Sequence, residues 1–516
     1  MEYKVLKLSF LLVFSLLLFQ SCTITRIAAY FQPAVTDYKV FPCDTIFAAK
    51  HSNPAFIEAP IERLPDVSLW VPPFILNGAS NIDEFLKVTY STSLLVLHND
   101  TLFFEHYANK HKKEDFQIVF SVTKGITAML AAIAVEEGIL RYDQKVSDFI
   151  PEFAKDGRRE IEIKHLLNMV SGIDFNDRVN FARLAMLYYN NNQDKFAREY
   201  NYVSHKPGTH FAYQSLSTQI LAICLEKASN KKLKVYLQEK IWEPLGMEYD
   251  ALYTLDSRKN GNIRAFGGLA IRSRDMVRIG KLLLNKGVWE GKQILPVSFV
   301  DDLMNRQMRD DRWWGYQSFF WRDGYVNTEF LCDTDFFAAG HHGQFIYVNP
   351  ENNIVIVRQG KKETFRWPML FGRLVGAMTN KGNDVMDECR DYSDQFEGIY
   401  ESSNGEKYEI VYRGVSSKTG ADQWVVFKDV NQTLKTRKLF IATKFDGRSI
   451  GTNRLMFISR SLFDIQDNKI VGMFHDNQRA VDMRYFVKKG DIPLQMRKQM
   501  LAGMKRANDR KVKMHK

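Results

Sequence analysis

Apolar residues recur at helical spacing directly after a short polar segment that contains Ser121. Positions i, i+3, i+4 and i+7 of this stretch are Ile126, Met129, Leu130 and Ile133. Gly138 follows at a position that is typical of a helix end. The pattern predicts a helix with one buried face from Ser121 to about Glu137, entered from the short apolar segment Phe116 to Phe120.

Other patterned segments predict strands at both ends of this region and helices between them. Apolar runs at 93–97 and 101–104, and again at 345–348 and 354–357, flank polar turns and predict two hairpins. An aromatic strand region is expected from Trp313 to Trp321. Helices are predicted from Asn81, over 215–227, over 233–242, after a capping Ser273, and over 367–378. This order predicts an α+β fold, with an antiparallel sheet and a helical insertion.

Beyond Asp391 the pattern changes to short apolar runs separated by Gly, Asn and Asp. The expected strands are Tyr408–Tyr412, Trp424–Phe427, Lys438–Ala442, Arg454–Ile458 and Arg484–Val487. These runs predict a small C-terminal all-β domain.

The N-terminus has the pattern of a targeting segment. An apolar run, Leu8 to Phe19, follows two lysines and is too short to span a bilayer comfortably. It ends in Gln20-Ser21-Cys22, which resembles a bacterial lipoprotein box with an acylated cysteine. We expect lipidation at Cys22, attachment to a membrane through that lipid, and a location in the bacterial cell envelope. An uncleaved anchor or a plain secretory signal is the alternative.

The net charge of the 516-residue chain is +11, and it is concentrated at one end. Residues 488–516 contain ten Lys and Arg but two Asp, so the basic balance does not predict a nucleic-acid partner for the body. Met496, Met500 and Met504 are four residues apart and predict a tail helix. One interpretation is that the basic face of this helix contacts anionic lipid or glycan. The interpretation that we favour is a solvated tail whose methionines pack on the β domain.

The five cysteines do not match a zinc-site spacing, and we expect neither a metal nor another cofactor. Cys224 lies within a helical pattern and is expected to be a buried small hydrophobe. Cys43, Cys332 and Cys389 could pair in an envelope compartment, but the sequence assigns no pairing.

Ser121 and Lys124 form a Ser-x-x-Lys pattern at the predicted start of the organising helix. Lys124 lies one turn after Ser121 on the same face, and a desolvated lysine can accept a proton from a serine hydroxyl near neutral pH. The pattern occurs again at Ser229 and Lys232, where no apolar segment or buried helix accompanies it. We interpret Ser229 as a solvated loop residue and Ser121 as the candidate nucleophile.

The segment Phe120-Ser121-Val122-Thr123-Lys124-Gly125 resembles the nucleophile motif of the β-lactamase-related serine hydrolases. This family includes class C β-lactamases, D-alanyl-D-alanine peptidases, esterases and 6-aminohexanoate-dimer hydrolases. Pro207–Ser215 is similar to the second motif, Pro-Gly-x-x-aromatic-x-Tyr-x-Asn, and Gly340–Gln344 to the third, Lys-Thr-Gly or His-x-Gly. Connecting landmarks occur at 165–172 and 267–275, so the resemblance runs in order from about Leu94 to Met378.

The resemblance implies a β-lactamase/transpeptidase-like fold and acyl transfer. Ser121 would attack a carbonyl carbon, while Lys124 and Tyr213 would share the roles of general base and general acid. The backbone N–H groups of Ser121 and Gln344 would form the oxyanion hole.

The same resemblance implies a substrate-binding set of Ser215, His341 and Gly343. Ser215 occupies the position of the family's asparagine, which removes or shortens an amide contact with substrate or with Lys124. His341 replaces the third-motif lysine and would order the Tyr–Lys network or contact a substrate carboxylate. The change at Ser215 argues against β-lactam turnover more than against hydrolysis.

The sequence predicts five parts: a signal peptide (1–22), an N-terminal extension (23–75), a hydrolase domain (76–385), a C-terminal β module (391–487) and a basic tail helix (488–516). The expected function is hydrolysis of small esters or amides, with D-amino-acid peptides as the next candidates. The alternative is a non-catalytic sensor or scaffold lipoprotein that keeps the fold. The oligomeric state is not predicted.

Overall fold

The computed structural model divides into two compact units, Met1–Gly382 and Asn383–Lys516. In the first unit it describes residues 23–30, 32–50, 56–58, 64–71, 76, 78–177, 180–304, 334–363 and 367–379. In the second it describes 395, 397–402, 407–415, 422–429, 438–446, 449–454, 457–466, 469–476 and 483–490. The predicted features outside these residues are the signal peptide with Cys22, the strand region Trp313–Trp321, Cys332, Cys389 and the tail after residue 490.

The helices of the first unit lie mainly between its strands. They are α1 Thr23–Tyr30, α2 Val67–Trp70, α3 Ile82–Val88, α4 Val122–Glu136, α5 Ile163–Leu167, α6 Phe181–Tyr188, α7 Gln193–Glu199, α8 Ser215–Ser229, α9 Leu233–Leu237, α10 Ser273–Leu284, α11 Val297–Met304 and α12 Trp367–Met378. Short 3₁₀ helices occupy Asp37–Lys39, Val146–Asp148, Pro151–Lys155 and Gly157–Glu160, and a π-helical turn occupies Gln238–Trp242.

The strands of the first unit form two main sheets and one small hairpin. They are β1 Cys43–Ile46, β2 Ile57–Glu58, β3 Ser91–His98, β4 Thr101–Tyr107, β5 Gln117–Ile118, β6 Ala251–Thr254, β7 Leu269–Ile271, β8 Val288–Trp289, β9 Lys292–Gln293, β10 Phe336–Gly340, β11 Gln344–Asn349 and β12 Ile354–Gly360.

The larger sheet has the order β10-β11-β12-β3-β4-β2, and all of its neighbouring strands are antiparallel except β2 and β4. Both predicted hairpins are confirmed, β3 with β4 and β11 with β12. The first turns through Asn99 and Asp100, whose φ angles of 47° and 64° are those of a tight hairpin turn.

This sheet is covered by helices on both faces, which explains why its central strands are almost continuously apolar. Helix α10 packs on β11, β12 and β3, and a Cβ on its Gly280 would overlap the side chain of Val355. The opposite face carries an aromatic core that includes Trp70, Phe85, Trp367 and Phe371. The sheet therefore forms a rigid layer between two helical layers.

The second sheet has the order β1-β6-β7-β5 and leads directly into α4. In it Ile118 lies opposite Ala270, and Cys43 lies opposite Thr254. Part of the N-terminal extension is thus a strand of the folded body. The predicted α+β architecture with a helical insertion is confirmed.

Helix predictions agree closely, with local differences at their ends. The helix after Ser121 and the helix Trp367–Met378 are confirmed. The expectation of a single buried face is wrong for the first of them, because every residue from Val122 to Ala134 is buried. Ser273 does not cap its helix: Arg272 is the N-cap residue, and the Ser273 hydroxyl instead donates to Gln359 at 2.8 Å. The loop interpretation of Ser229 is wrong, because this residue ends α8 and its hydroxyl donates to the Leu225 carbonyl at 2.7 Å.

The second unit is an antiparallel sheet in which the last strand also pairs with the first. Its strands are β13 Gly398–Ser402, β14 Lys407–Val415, β15 Asp422–Asp429, β16 Lys438–Asp446, β17 Ser449–Arg454, β18 Phe457–Gln466, β19 Lys469–Asp476 and β20 Met483–Gly490. The all-β prediction is confirmed, but five strands were expected. The predicted strand Arg454–Ile458 covers the end of β17 and the start of β18, and β13 and β19 were missed.

Within the part of the chain that the structure describes, every helix is either too short or too polar to cross a bilayer. Cys224 is fully buried in α8, as predicted, and both Cys43 and Cys224 are free thiols.

Candidate active site

Ser121 lies at the junction between β5 and α4, where the chain turns sharply. Phe120 has a φ of 45°, a left-handed conformation that is uncommon for a residue with a side chain. The Lys124 N–H donates to the Ser121 carbonyl at 3.0 Å, which closes the first turn of α4. The Ser121 side chain makes no capping hydrogen bond, so its hydroxyl is available at the helix N-terminus.

Lys124 extends from the first turn of α4 into the interior, and 2% of it is exposed. Its Nζ donates to Ser121 Oγ and to the Phe266 carbonyl, both at 2.8 Å. Burial lowers the pKa of Lys124 to about 8, and the Asp177 carboxylate opposes this shift. The structure therefore places a lysine that loses its proton easily against the predicted nucleophile.

Tyr213 joins this pair from the segment that leads into α8. Lys124 Nζ lies 5.2 Å from the centre of the Tyr213 ring. The Tyr213 carbonyl accepts from the Asp177 N–H at 2.9 Å, and the Ala212 N–H donates to Met169 at 3.0 Å. These backbone bonds hold the tyrosine beside Lys124, so all three residues of the predicted catalytic set lie together.

Ser215 is buried at the first position of α8, and its side chain is bound to a carboxylate. Its hydroxyl donates to Asp177 Oδ2 at 2.6 Å, and its N–H lies 3.0 Å from Asp177 Oδ1. Asp177, which is distant in sequence, therefore caps the N-terminus of α8. Its carboxylate also contributes negative charge near Lys124. The sequence analysis missed Asp177, because no spacing links it to the second motif.

The Phe266 carbonyl fills the second hydrogen-bonding position of Lys124, and the sequence analysis missed it too. Phe266 belongs to a tight turn in which the Gly268 N–H donates to Arg264 at 2.8 Å. A Cβ on Gly268 would overlap Thr254 and Arg264, so the glycine is required by close packing. The landmark at 267–275 begins with Gly267 and Gly268, but the carbonyl beside this glycine pair carries no sequence signal.

The third motif forms the turn between β10 and β11, beside Phe120. His342 and Gly343 have φ angles of 65° and 79°, and the Gly343 N–H donates to Gly340 at 3.0 Å. Gln344 begins β11 fully buried, and its side-chain amide donates to the Gly360 carbonyl at 2.6 Å. The predicted oxyanion-hole residue Gln344 is thus fixed by its own side chain.

The two histidine rings of this turn contact each other at a tilt and meet Phe120 edge-to-face. Their ring centres are 3.9 Å apart, and each lies 5.5 Å from the Phe120 ring. Burial lowers the pKa of His341 to about 3, and it lowers the pKa of His342 as well. His341 is therefore neutral at physiological pH: it can exchange hydrogen bonds with the site but supplies no charge for a substrate carboxylate.

The N-terminal extension contacts residues that border the candidate site. Its Pro33 carbonyl lies 2.9 Å from His342 Nε2, and the Val35 carbonyl accepts from the Ile118 N–H at 2.9 Å. Val35 also packs in one apolar cluster with Ile118 and Phe120. This segment therefore belongs to the framework of the candidate site.

No group of three or more His, Cys, Asp or Glu side chains suited to a metal ion occurs among the described residues. The chemistry that this arrangement offers is that of a serine hydroxyl, a buried lysine and a tyrosine.

A β-lactamase family model matches residues 79–366, which is more than half of the chain. The matched range contains all residues of the candidate site except those of the N-terminal extension. The chain belongs to the β-lactamase family. This places it in the superfamily of β-lactamase-related serine hydrolases, as the three motifs indicate.

Individual relatives agree with this assignment. The 6-aminohexanoate-dimer hydrolase of Paenarthrobacter ureafaciens is 24% identical over 60% of this chain and 81% of its own length. Penicillin-binding protein 4* of Bacillus subtilis is 27% identical over a segment that covers 26% of this chain and 30% of the length of that protein. A solved structure from Bacillus anthracis, described as a 6-aminohexanoate-dimer hydrolase, covers 69% of this chain and 94% of its own, with a TM-score of 0.55 and 21% identity. The last comparison supports the fold.

Proposed function

We propose that the protein is a serine hydrolase that forms an acyl-enzyme on Ser121. The observation that carries this proposal is the 2.8 Å contact between Lys124 Nζ and Ser121 Oγ, made by a buried lysine whose pKa is lowered to about 8. At pH 7 about a tenth of such lysines are neutral, compared with fewer than one in a thousand at an ordinary lysine pKa. A neutral Lys124 can accept the hydroxyl proton as Ser121 attacks.

In the proposed reaction Ser121 Oγ bonds to the substrate carbonyl carbon, and its proton passes to Lys124 Nζ. The carbonyl oxygen becomes an oxyanion that accepts from the backbone N–H groups of Ser121 and Gln344. Collapse of this intermediate breaks the bond to the leaving group, which takes its proton through Lys124 or Tyr213. Water then attacks the Ser121 ester by the same steps in reverse, releasing the acid and restoring the serine.

The proposed substrates are small esters or amides, with D-amino-acid peptides next. The hydroxyl of Ser215 is engaged by Asp177, so it does not reproduce the amide contact of the family's asparagine. His341 is neutral and offers no cation to a carboxylate. Both features disfavour β-lactams. The 6-aminohexanoate-dimer hydrolase among the relatives supports an amide bond as one candidate.

We propose in addition that the protein is held at a membrane of the bacterial envelope by lipid on Cys22. The support is the targeting pattern of residues 1–22. Metabolic labelling with an alkynyl fatty acid tests it: incorporation should be lost in Cys22→Ala and retained in Cys43→Ala. Equal incorporation in both variants would contradict lipidation at Cys22.

The test of the hydrolase proposal is intact-mass spectrometry of the protein from residue 23 onward after reaction with a fluorophosphonate probe. We expect one adduct, absent from Ser121→Ala and retained in Ser229→Ala, whose serine belongs to the second Ser-x-x-Lys pattern. A folded wild type that forms no adduct would overturn the mechanism and favour a non-catalytic binder.

A further inference from the structure

Arg358 is a fully buried arginine directly behind the third motif, on β12. Its guanidinium is bound mainly by main-chain carbonyls: Nη1 donates to Gly343, and Nη2 donates to Thr89 at 3.1 Å. Its Nε donates to Ser91 Oγ at 2.9 Å, and the group lies 4.0 Å from the centre of the Trp367 ring. A charge is costly to bury, so this placement calls for a reason.

The carbonyl that Arg358 holds belongs to the peptide unit whose N–H is the proposed oxyanion donor. Gly343 supplies the C=O of this unit, and Gln344 supplies its N–H. A trans peptide is planar, so its C=O and N–H point in opposite directions. Fixing the Gly343 oxygen toward Arg358 therefore directs the Gln344 N–H away from Arg358.

The same turn also contacts the two residues that precede Ser121. The rings of His341 and His342 lie edge-to-face against Phe120. A Cβ on Gly340, at the start of the turn, would overlap the Val119 carbonyl. The turn is thus packed between residues 119–120 on one side and Arg358 on the other.

The close approach of the guanidinium also explains a residue of the motif. A Cβ on Gly343 or on Gly360 would overlap Arg358 Nη1. Gly343 also has a φ of 79°, which most residues adopt only with strain. Glycine at position 343 is therefore required both by the turn and by Arg358.

We propose that Arg358 is a positioning residue for the oxyanion hole, which fixes and polarises the Gly343–Gln344 peptide from behind. This inference rests on the proposed function. A cation on the carbonyl oxygen strengthens the N–H of the same peptide as a donor, since hydrogen bonds in a chain polarise one another. Arg358 does not touch the substrate; it acts through Gln344, and its loss is expected to weaken transition-state stabilisation more than substrate binding.

Arg158 provides a matched control within the same chain. It is 3% exposed, its Nη1 donates to the carbonyls of Arg198 and Tyr200 at 2.8 Å, and it lies 4.1 Å from the Phe153 ring. Its carbonyl and ring contacts resemble those of Arg358, but it also forms a salt bridge with Asp156 at 2.8 Å, and these partners lie outside the candidate site. Removing either arginine should destabilise the fold, whereas only one removal should affect the chemistry.

The experiment measures the inactivation of Ser121 by a fluorophosphonate over a range of probe concentrations, which separates kinact from KI. In Arg358→Met we expect kinact to fall about 10- to 100-fold with KI within about twofold of the wild type, because loss of a whole oxyanion donor costs about 100- to 1,000-fold. Arg158→Met should keep the wild-type kinact. If Arg358→Met does not fold, Arg358→Gln, which keeps a donor for the buried carbonyls but lacks the cation, tests the polarising charge alone, and kinact should still fall.

The possible failures can be distinguished. A wild-type kinact in the folded Arg358 variant overturns the positioning role and leaves the hydrolase proposal intact. An equal fall of kinact in the Arg158 and Arg358 variants would assign the effect to general destabilisation and would also overturn it. A wild type that is not labelled on Ser121 overturns the proposed function and this inference together.

Discussion

Ser215 donates its hydroxyl to the Asp177 carboxylate at 2.6 Å, and that carboxylate is the negative group that acts on Lys124. The residue that replaces the family's asparagine is thus bound to an acid that no motif predicted. This carboxylate raises the pKa of Lys124 against the larger opposing effect of burial. The pair therefore adjusts the pH at which Lys124 loses its proton.

Asp177→Asn is expected to shift the pH dependence of acylation to lower pH. Labelling of wild-type Ser121 should increase with pH around a midpoint near 8, because neutral Lys124 is the active form. Without the carboxylate the lysine cation is less stable, so its pKa falls and the neutral form is present at lower pH. The pH profile of fluorophosphonate labelling measures this shift.

Asp174→Asn is the control for that experiment. Asp174 pairs with Arg183 at 2.7 Å and is not among the groups that shift the pKa of Lys124. Its variant should keep the wild-type midpoint. If Asp177→Asn and Asp174→Asn have the same labelling midpoint, Asp177 does not influence the pKa of Lys124.

Lys124→Met is expected to abolish labelling while stabilising the fold at neutral pH. Loss of the general base should reduce acylation by about 100- to 10,000-fold. A lysine whose pKa falls from 10.5 to about 8 on folding destabilises the native state below pH 8, because the amine is then protonated in both the native and the unfolded state. Removing it should raise the free energy of unfolding by about 1–3 kcal/mol at pH 7, after allowance for the Phe266 carbonyl that loses its partner.

The sign of this effect is checked by urea unfolding at several pH values. Between pH 8 and about 10.5 the unfolded state binds more protons than the native state, so wild-type stability rises with pH and the advantage of Lys124→Met shrinks. Lys232→Met, at the exposed lysine of the second pattern, should change stability by less than about 0.5 kcal/mol. A difference between Lys124→Met and the wild type that does not change with pH would contradict the assigned cause.

Gly343→Ala is expected to destabilise the protein more than Gly291→Ala. Both glycines have a positive φ, 79° and 75°, so both variants should lose about 1 kcal/mol from backbone strain. A Cβ at Gly291 meets nothing within 4 Å, whereas one at Gly343 overlaps Arg358. We expect a further loss of about 1–3 kcal/mol at Gly343.

Thermal unfolding and fluorophosphonate labelling of the two glycine variants check this together. Gly343→Ala should also label more slowly, because the displaced turn carries the Gln344 N–H. Equal melting temperatures for the two variants would show that Arg358 does not confine the turn.

Removing residues 23–46 is expected to lower the melting temperature by about 5 °C or more and to slow labelling. The truncation uncovers Phe120 and Ile118 and leaves β6 without its partner β1. The protein that begins at residue 23 is the control and should retain both properties. An unchanged melting temperature in the shorter form would mean that the extension is only a tether.

Local sequence patterns predicted most of the hydrolase fold and the centre of its site. Ser121 and Lys124 are one helical turn apart, so a single segment indicated both as candidates, and a motif indicated Tyr213, which the structure brings beside them. The hairpins followed from apolar runs around polar turns. In the second unit, β13 was missed because its apolar run is only Ile399-Tyr400, and β19 was missed because Gly472 interrupts its apolar run.

The residues that the sequence did not reveal act across the fold. Asp177 lies 38 positions before Ser215, and Arg358 lies 15 positions after Gly343 on a different strand. The Phe266 and Pro33 carbonyls contribute through main-chain atoms, which any residue type can supply. Only tertiary packing brings these groups to the site, so neither composition nor spacing could indicate them.

The contact between the Pro33 carbonyl and His342 sets how far the candidate site could lie from the proposed lipid anchor. Helix α1 begins directly after Cys22 and ends at Tyr30, three residues before Pro33. Its eight residues span about 12 Å, and three residues can add at most about 10 Å. With lipid on Cys22, this short linker would keep the proposed nucleophile Ser121 close to the bilayer surface. There it would meet substrates that lie in or near the lipid headgroups before substrates that diffuse freely.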